Sequence, residues 1–185
     1  MAAKEEQLVF GTTLEGLYQR GLKGKLPPTL VAHLAGMGLD VTKPLLPAYP
    51  RALVNAAIAH TAKTLYPGVP MTDAMYRVGQ HVTSGLRATT IGSATLAVVR
   101  LIGPRRTMQR LARTFRSTNN YMNVALRELT PSAFELDLEP SNEYPSYMQA
   151  VMEDMLTIAG ATELRVVVAE HDKVKERCTY RISWT

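Results

Sequence analysis

The hydrophobic period of this chain changes near Asn119, and that change limits the fold more than any other feature. Before it, apolar residues recur three and four apart, the spacing of helix faces. Leu14, Leu17 and Tyr18 mark a short helix after the entry segment LVFGTT, and a second is expected from about Pro28 to Met37, with Gly38 to stop it. A proline-rich connector, DVTKPLLPAYP, precedes a longer helix over Tyr49 to Leu65, with Leu53, Ala57, Ile58, Ala62 and Leu65 on one side. After YPGVP, Thr72 or Asp73 is positioned to cap a helix that turns Ala74, Met75, Val78 and Val82 inward. A further helix from about Thr90 to Leu101 ends at Gly103-Pro104, and Pro104 to about Arg116 forms the last.

Beyond Asn119 the pattern alternates. NYMNVALREL and SAFELDLE, separated by TPS, read as a β-hairpin. YPSYMQAVMEDMLTIAG returns to helical spacing through Met148, Val151, Met152, Met155, Leu156 and Ala159, and Gly160 ends it. ELRVVVAEH and RCTYRISW then form a second hairpin around DKVKE. The fold class that follows is α+β: a helical lobe over 1–116 packed on an antiparallel sheet lobe of β-β-α-β-β order over 117–185, in one domain.

Glycines 79, 85 and 92 interrupt otherwise helical text. Inside a helix each costs about 1 kcal/mol relative to alanine, a loss offset by close helix packing or by room for a ligand.

A hydrophobic content of 46% supports an ordinary core, and the net charge of +5 admits an anionic partner without requiring one. With Cys178 as the single cysteine, no internal disulfide forms, which fits a reducing cytoplasm. MAAKEEQLVF carries acids where a signal peptide has its apolar run, and the apolar stretch Ile91 to Ile102, broken by Arg100, is too short to span a bilayer.

No catalytic motif is present. GLYQRGLK lacks the Gly-Lys-Ser/Thr of a phosphate loop, and G-x-S-x-G, H-E-x-x-H and C-x-x-C do not occur. His33, His60, His81 and His171 fall in different elements without ligand spacing, so neither a metal nor a cofactor is expected. His171 and Cys178 flank one turn, where a thiolate–imidazole pair would need them close, although Cys178 reads first as a small core residue. Glu135, Asp137 and Glu139 alternate on one strand face, as on a solvated sheet.

The densest charge lies in PRRTMQRLARTFR. Met108, Leu111, Ala112 and Phe115 take the buried face, and Arg106, Arg110 and Arg113 the opposite one, with Arg105 and Arg116 at its edges. Like charges at this spacing repel, so a neutralising group is expected. The acidic strand residues Glu135, Asp137 and Glu139 are the internal candidate, and an anionic ligand or partner the external one.

Taken together, VFGTTLEGLYQRGL, PAYPRALVNAAIAHTAKTLYPGVPMTDAMYRVGQ, GPRRTMQRLARTFRSTNNYMNVALREL and the terminal CTYRISW resemble a family of myxobacterial proteins of unknown function, about 200 residues long, the size of one domain. In the order of its elements the chain is more distantly similar to 4-vinyl-reductase-type small-molecule-binding domains, heme-nitric-oxide-binding domains and vesicle-tethering TRAPP subunits. That likeness implies a mixed α/β sandwich, often dimeric, that in some members holds an apolar ligand between helices and sheet. The heme-binding group depends on Tyr-x-Ser-x-Arg and a helical proximal histidine; YRISW at 180–184 places its arginine and serine differently, so heme is not carried over. Nor is the acylated helical cysteine of the TRAPP type, because Cys178 lies in a strand-like segment.

The reading that follows is a non-enzymatic small-molecule- or protein-binding domain with a regulatory or sensing role, cytoplasmic and dimeric. Its ligand is small and apolar or anionic. Phe10, Tyr76, Phe115, Tyr121 and Met152 are expected to line a pocket between helices and sheet, with Arg106, Arg110 and Arg113 at its rim. Nucleic-acid binding through the Arg105–Arg116 helix is the rival. It is the weaker of the two, because base stacking calls for aromatics interleaved with the charges.

Overall fold

The computed structural model describes residues 6–88 and 90–185; the side chain of Ala112, expected on a buried face, lies outside the described residues, as does the 1–5 portion of the amino-terminal segment. The chain opens with β1 (Leu8–Phe10) and a helical turn, α1 (Gly11–Leu14), that widens into a π-helical segment, Glu15–Gly21. An ordinary helix was the expectation here. The backbone of this segment instead lies flush against α4 (Met71–Arg87): a Cβ on Gly85 would stand 1.9 Å from the Gly16 carbonyl oxygen, and one on Gly21 2.0 Å from that of His81.

Between them come α2 (Pro28–Gly36), β2 (Ala48–Pro50) and α3 (Arg51–Leu65). β2 is an addition to the sequence expectation: the end of the proline-rich connector pairs antiparallel with β1. Three residues are too few to show an alternating pattern, and Pro50, lacking an N–H, sits at the strand's end, where none is needed. The α4 amino terminus is also simpler than expected, with Pro70 at the cap position and no side-chain cap from Thr72 or Asp73.

The helix α5 (Thr90–Arg116) is broken at Gly103, whose φ of 77° and ψ of 173° are far from helical and are followed by Pro104. Glycine tolerates that φ, and proline cannot supply the N–H that continuity would require. Its halves, 90–102 and 104–116, are the two helices read from the sequence.

The carboxy-terminal lobe is β3 (Asn123–Thr130), β4 (Ala133–Glu139), α6 (Ser146–Ile158), β5 (Arg165–Asp172) and β6 (Arg177–Ser183). The strands form one antiparallel sheet in the order β3-β4-β6-β5, so the architecture is α+β as the change of period implied. Phe134, Leu136 and Leu138 of β4 and Cys178, Tyr180 and Ile182 of β6 are buried. They join Leu14, Leu17, Tyr18, Leu34, Met75, Val78 and Met152 in one core that runs through both lobes. Full burial of each large apolar side chain contributes about 1.5–3 kcal/mol, so this shared core stabilises both lobes together.

α6 joins the lobes by packing along α4. A Cβ at Gly79 would lie 2.4 Å from the Tyr147 carbonyl oxygen, so the absence of a side chain is what admits α6 here. Of the alternatives the glycines left open, Gly79 and Gly85 serve close packing.

Candidate functional site

Arg51 is the first residue of α3, directly after Pro50, and its guanidinium turns inward across the lobe boundary. Nη1 donates to Gln7 Oε1 and Glu176 Oε2, each at 2.9 Å, and Nη2 to the Ser141 carbonyl at 2.8 Å. The cation also lies 5.3 Å from the centre of the Tyr121 ring. One side chain thus ties together the residue before β1, the segment before β3, the loop after β4 and the β5–β6 turn. Burial raises the Tyr121 phenol above its ordinary pKa, against the opposing effect of Arg51.

The satisfaction of this region is incomplete. Arg51 Nε, Ser141 Oγ and Asn142 Oδ1 are buried and have no hydrogen-bond partner. Leaving a buried polar atom unmatched costs about 1–3 kcal/mol, so three together in one place call for a reason. They lie around connected hollows. A cavity of about 300 Å³ is lined by Arg51, Asn55, Ser141, Asn142, Glu143, His171, Lys173 and Glu176. A second, of about 250 Å³, shares Asn55 and Asn142 and continues past Ala56, Ile58, Ala59, Met75 and Tyr144. A narrow hollow of about 70 Å³ lies against Leu14, Leu17, Ile58, Phe115, Tyr121 and Met148, and a shallow one of about 450 Å³ opens at Pro50, Arg51 and Glu176. Asn55 borders all four.

His171 reaches this seam through a break in strand phase. The β5–β6 register shifts between Val168 and Glu170, after which His171 stands opposite Cys178. A bulge of this kind re-aims the side chains that follow it. The juxtaposition of His171 and Cys178 does not make a nucleophile: Cys178 is fully buried, and desolvation pushes its thiol pKa upward.

A larger concavity, about 810 Å³, lies elsewhere, between the π-helical segment and residues 41–47. Several of its polar groups are already engaged: Gln19 Nε2 donates to the Val41 and Lys43 carbonyls, and Lys43 pairs with Asp40. Size favours that trough, but unmatched buried chemistry favours the seam.

The residues expected from the sequence fall into separate places. Phe115 and Tyr121 line the 70 Å³ void at the base of the seam. Met152 is in the core, and Phe10 is half-buried in β1. Tyr76 donates its hydroxyl to Glu153 on α6, away from the seam, and that bond raises the phenol pKa to about 12. Arg106, Arg110 and Arg113 are exposed on α5.

Two of the three acids expected to neutralise those arginines, Glu135 and Asp137, are committed elsewhere. Glu135 pairs with Arg127 and Arg181, which hold its carboxyl below the usual range, and Asp137 pairs with Arg177 and accepts from Thr179. Only the helix's edge residue Arg105 finds an acid, Glu128 at 2.7 Å, among the described residues. The spacing of an alternating strand brings its acids to cross-strand partners before it brings them to a helix.

Arg51, Asn55, Ser141, Asn142 and Glu176 were not singled out from the sequence. A faint signal was there: Arg51 and Asn55 are polar on a segment, RALVNAAIA, otherwise made of small and aliphatic residues.

The model of a family described as "Protein of unknown function (DUF2378)" matches residues 7–185. No curated protein matches the sequence. Among solved structures, a mutant H-NOX protein from K. algicida, iron(II) and unliganded, superposes with a TM-score of 0.67 at 12% identity, over 95% of this chain and 96% of that one. An oxygen-binding H-NOX domain related to soluble guanylate cyclases, in its oxygen complex, gives 0.63 at 13% identity, over 95% and 94%. A third, from work on heme distortion in the H-NOX family, gives 0.62 at 14% identity, again over 95% and 94%. At these identities the likeness is one of fold.

The present residues do not fit a heme. His33 and His60 stack on each other, 3.7 Å between ring centres, and His81 is bonded through Nε2 to the Tyr66 hydroxyl and through Nδ1 to Lys25. α5 carries no histidine. The apolar hollow against Phe115, Tyr121 and Met148 holds about 70 Å³, well below the roughly 300–1,000 Å³ of a cofactor site. His171 faces a hollow walled by Arg51, Lys173, Glu143 and Glu176 rather than an apolar slot. No cluster of three or more His, Cys, Asp or Glu able to hold a metal ion occurs among the described residues.

Proposed function

We propose, for a chain that belongs to the DUF2378 family of proteins of unknown function, a non-enzymatic sensing domain that binds a small molecule other than heme at the polar seam. One observation carries this reading: Arg51 Nε, Ser141 Oγ and Asn142 Oδ1 are buried without partners around hollows that meet at Asn55. A donor, an acceptor and a hydroxyl that serves as either are the means by which a site orients a small molecule, and the aliphatic continuation at Ile58 and Met75 supplies burial. The fold shared with H-NOX domains supports a sensing role by analogy only. Burial of Cys178 and the ion pairs of Glu135 and Asp137 weigh against a catalytic role for those three groups.

A conformational output has a route in this geometry. Arg51 holds Gln7, Ser141 and Glu176 together, so a ligand that recruits its guanidinium shifts the balance between β1 and the β5–β6 turn. The test is native mass spectrometry after incubation with metabolite extract. The expected result is one retained species, lost when Asn55→Phe fills the junction and kept when Arg106, Arg110 and Arg113 are changed to Gln. A protein that retains nothing, or an Asn55→Phe variant that retains the same species, overturns the reading.

A further inference from the structure

We infer that the seam takes a small carboxylate with an apolar tail, and that Glu176 holds the carboxylate's place when no such molecule is bound. The inference rests on the seam being the ligand site. It begins with the unequal burial of the Arg51–Glu176 pair. The Arg51 side chain is 11% exposed, whereas that of Glu176 is 52% exposed and approaches from the turn between β5 and β6. The cation therefore belongs to the interior and the acid comes from outside. A buried guanidinium needs an anion, but nothing ties that need to this particular one.

The conformation of Glu176 points the same way. Its φ is 51°, a left-handed backbone sparsely adopted by residues with a Cβ, and it is held there at both ends: its carboxylate by Arg51 and its carbonyl by the Ser141 N–H. A turn fixed in this way relaxes when its carboxylate is displaced.

The carboxylate position is well furnished. It lies at the start of α3, a 15-residue helix with Pro50 at the cap and no side-chain cap, beside the hollow lined by Pro50, Arg51, Ala52 and Glu176; the Arg51 N–H is donated to the Gln7 carbonyl, and the helix dipole favours an anion there. Ser141, 4% exposed, lines the adjoining hollow with an unpartnered hydroxyl, and Arg51 Nε is a further free donor. An incoming carboxylate has two oxygens to satisfy both, where the Glu176 carboxylate engages only Nη1. Glu6 and Glu143 stand at the rim and offset Lys173, which leaves Arg51 as the cation for one carboxylate.

The tail follows from the neighbouring hollow. Past Asn55 and Asn142 the lining turns to Ile58, Ala59, Met75 and Tyr144, with Glu143 as its one acid, in a volume of about 250 Å³. At about 30 Å³ for a water-sized group, that admits roughly eight heavy atoms beyond the head.

The experiment is a titration of the whole chain with straight-chain carboxylates from acetate to decanoate, each beside its matched primary amine and alcohol, followed by calorimetry and by amide chemical shifts. Hexanoate or octanoate is expected to bind, shifting Asn55, Ser141, Asn142 and the 172–177 turn, while the amines do not. Glu176→Gln removes the competing carboxylate and is expected to raise affinity about tenfold. Arg51→Lys, which keeps the charge but loses the fork, is expected to lower it, and Arg51→Met to abolish it. Amines or alcohols that bind as well as the acids, or an affinity unchanged in Glu176→Gln, overturn the carboxylate assignment. The seam reading fails separately: acids whose shifts map away from Asn55 and Asn142 overturn both, whereas a non-carboxylate captured there overturns only the chemical class.

Discussion

Where α4 meets its neighbours, Gly79 and Gly85 leave no room for a single added carbon; where α3 meets the loop after β4, polar atoms are buried with nothing to bond. Both contacts are internal, and both come from residues that depart from the local pattern. They differ in what the departure accomplishes. The glycines let backbones touch and close the space between helices. Arg51, Ser141 and Asn142 keep a space polar that apolar residues of similar size would have closed at lower cost. The first contact is built for stability, and the second retains a cost that a ligand can offset.

The largest expected effect tests the sealed contact. Gly85→Ala would place a Cβ 1.9 Å from the Gly16 carbonyl, a backbone atom that cannot swing aside, and is expected to cost about 3 kcal/mol in urea unfolding. Gly79→Ala, 2.4 Å from the Tyr147 carbonyl, is expected to follow closely. A loss under about 0.5 kcal/mol at both sites would show that α4 does not seal the lobes.

The seam should answer more mildly. Arg51→Met removes three charge-assisted hydrogen bonds and is expected to cost about 2 kcal/mol. A double-mutant cycle with Glu176→Gln should assign less than about 1 kcal/mol of that to the ion pair, because Glu176 is more than half exposed. A larger coupling would make Glu176 a structural partner rather than a displaceable one.

Acid sensitivity offers a smaller effect at the sealed side. Burial first, and Lys25 second, depress the His81 pKa below its ordinary 6.5. The folded state thus prefers the neutral ring, and this stability is present above pH 6.5 and lost as pH falls through the lowered folded value. His60 is depressed in the same direction by burial, His33 and Lys63. Denaturant midpoints measured from pH 7 to 5 should fall, and fall less in His81→Gln. An equal decline in that variant would remove His81 from the account.

The smallest expected effect has the opposite sign. Changing Arg106, Arg110 and Arg113 to Gln relieves repulsion on an exposed helix face and should raise stability by a few tenths of a kcal/mol. A clear loss would reveal a neutralising contact for these arginines.

The fold was legible because burial writes a period into the sequence. Met148, Met152 and Leu156 at helical spacing and Phe134, Leu136 and Leu138 in alternation are all buried, and Gly103-Pro104 marks the break in α5. β2 and the π-helical segment were not legible, since one is three residues long and the other is shaped by contacts with α4. The candidate site was legible only at its base. Phe115 and Tyr121 follow the apolar pattern, but Arg51, Asn55, Ser141, Asn142 and Glu176 come from three different segments. No local pattern relates them. Charge density drew attention to the α5 arginines instead, and these are exposed on their helix.

The central claim is that the polar seam, and not the α4 contact or the arginine face, receives a ligand. Amide chemical-shift mapping during titration with hexanoate, in parallel with metabolite extract, tests it most directly. The account predicts shifts at Asn55, Ser141, Asn142 and Glu176, with Gly79, Gly85 and Arg106–Arg113 unmoved. Shifts centred on Arg106, Arg110 and Arg113, with the seam silent in both titrations, would contradict it.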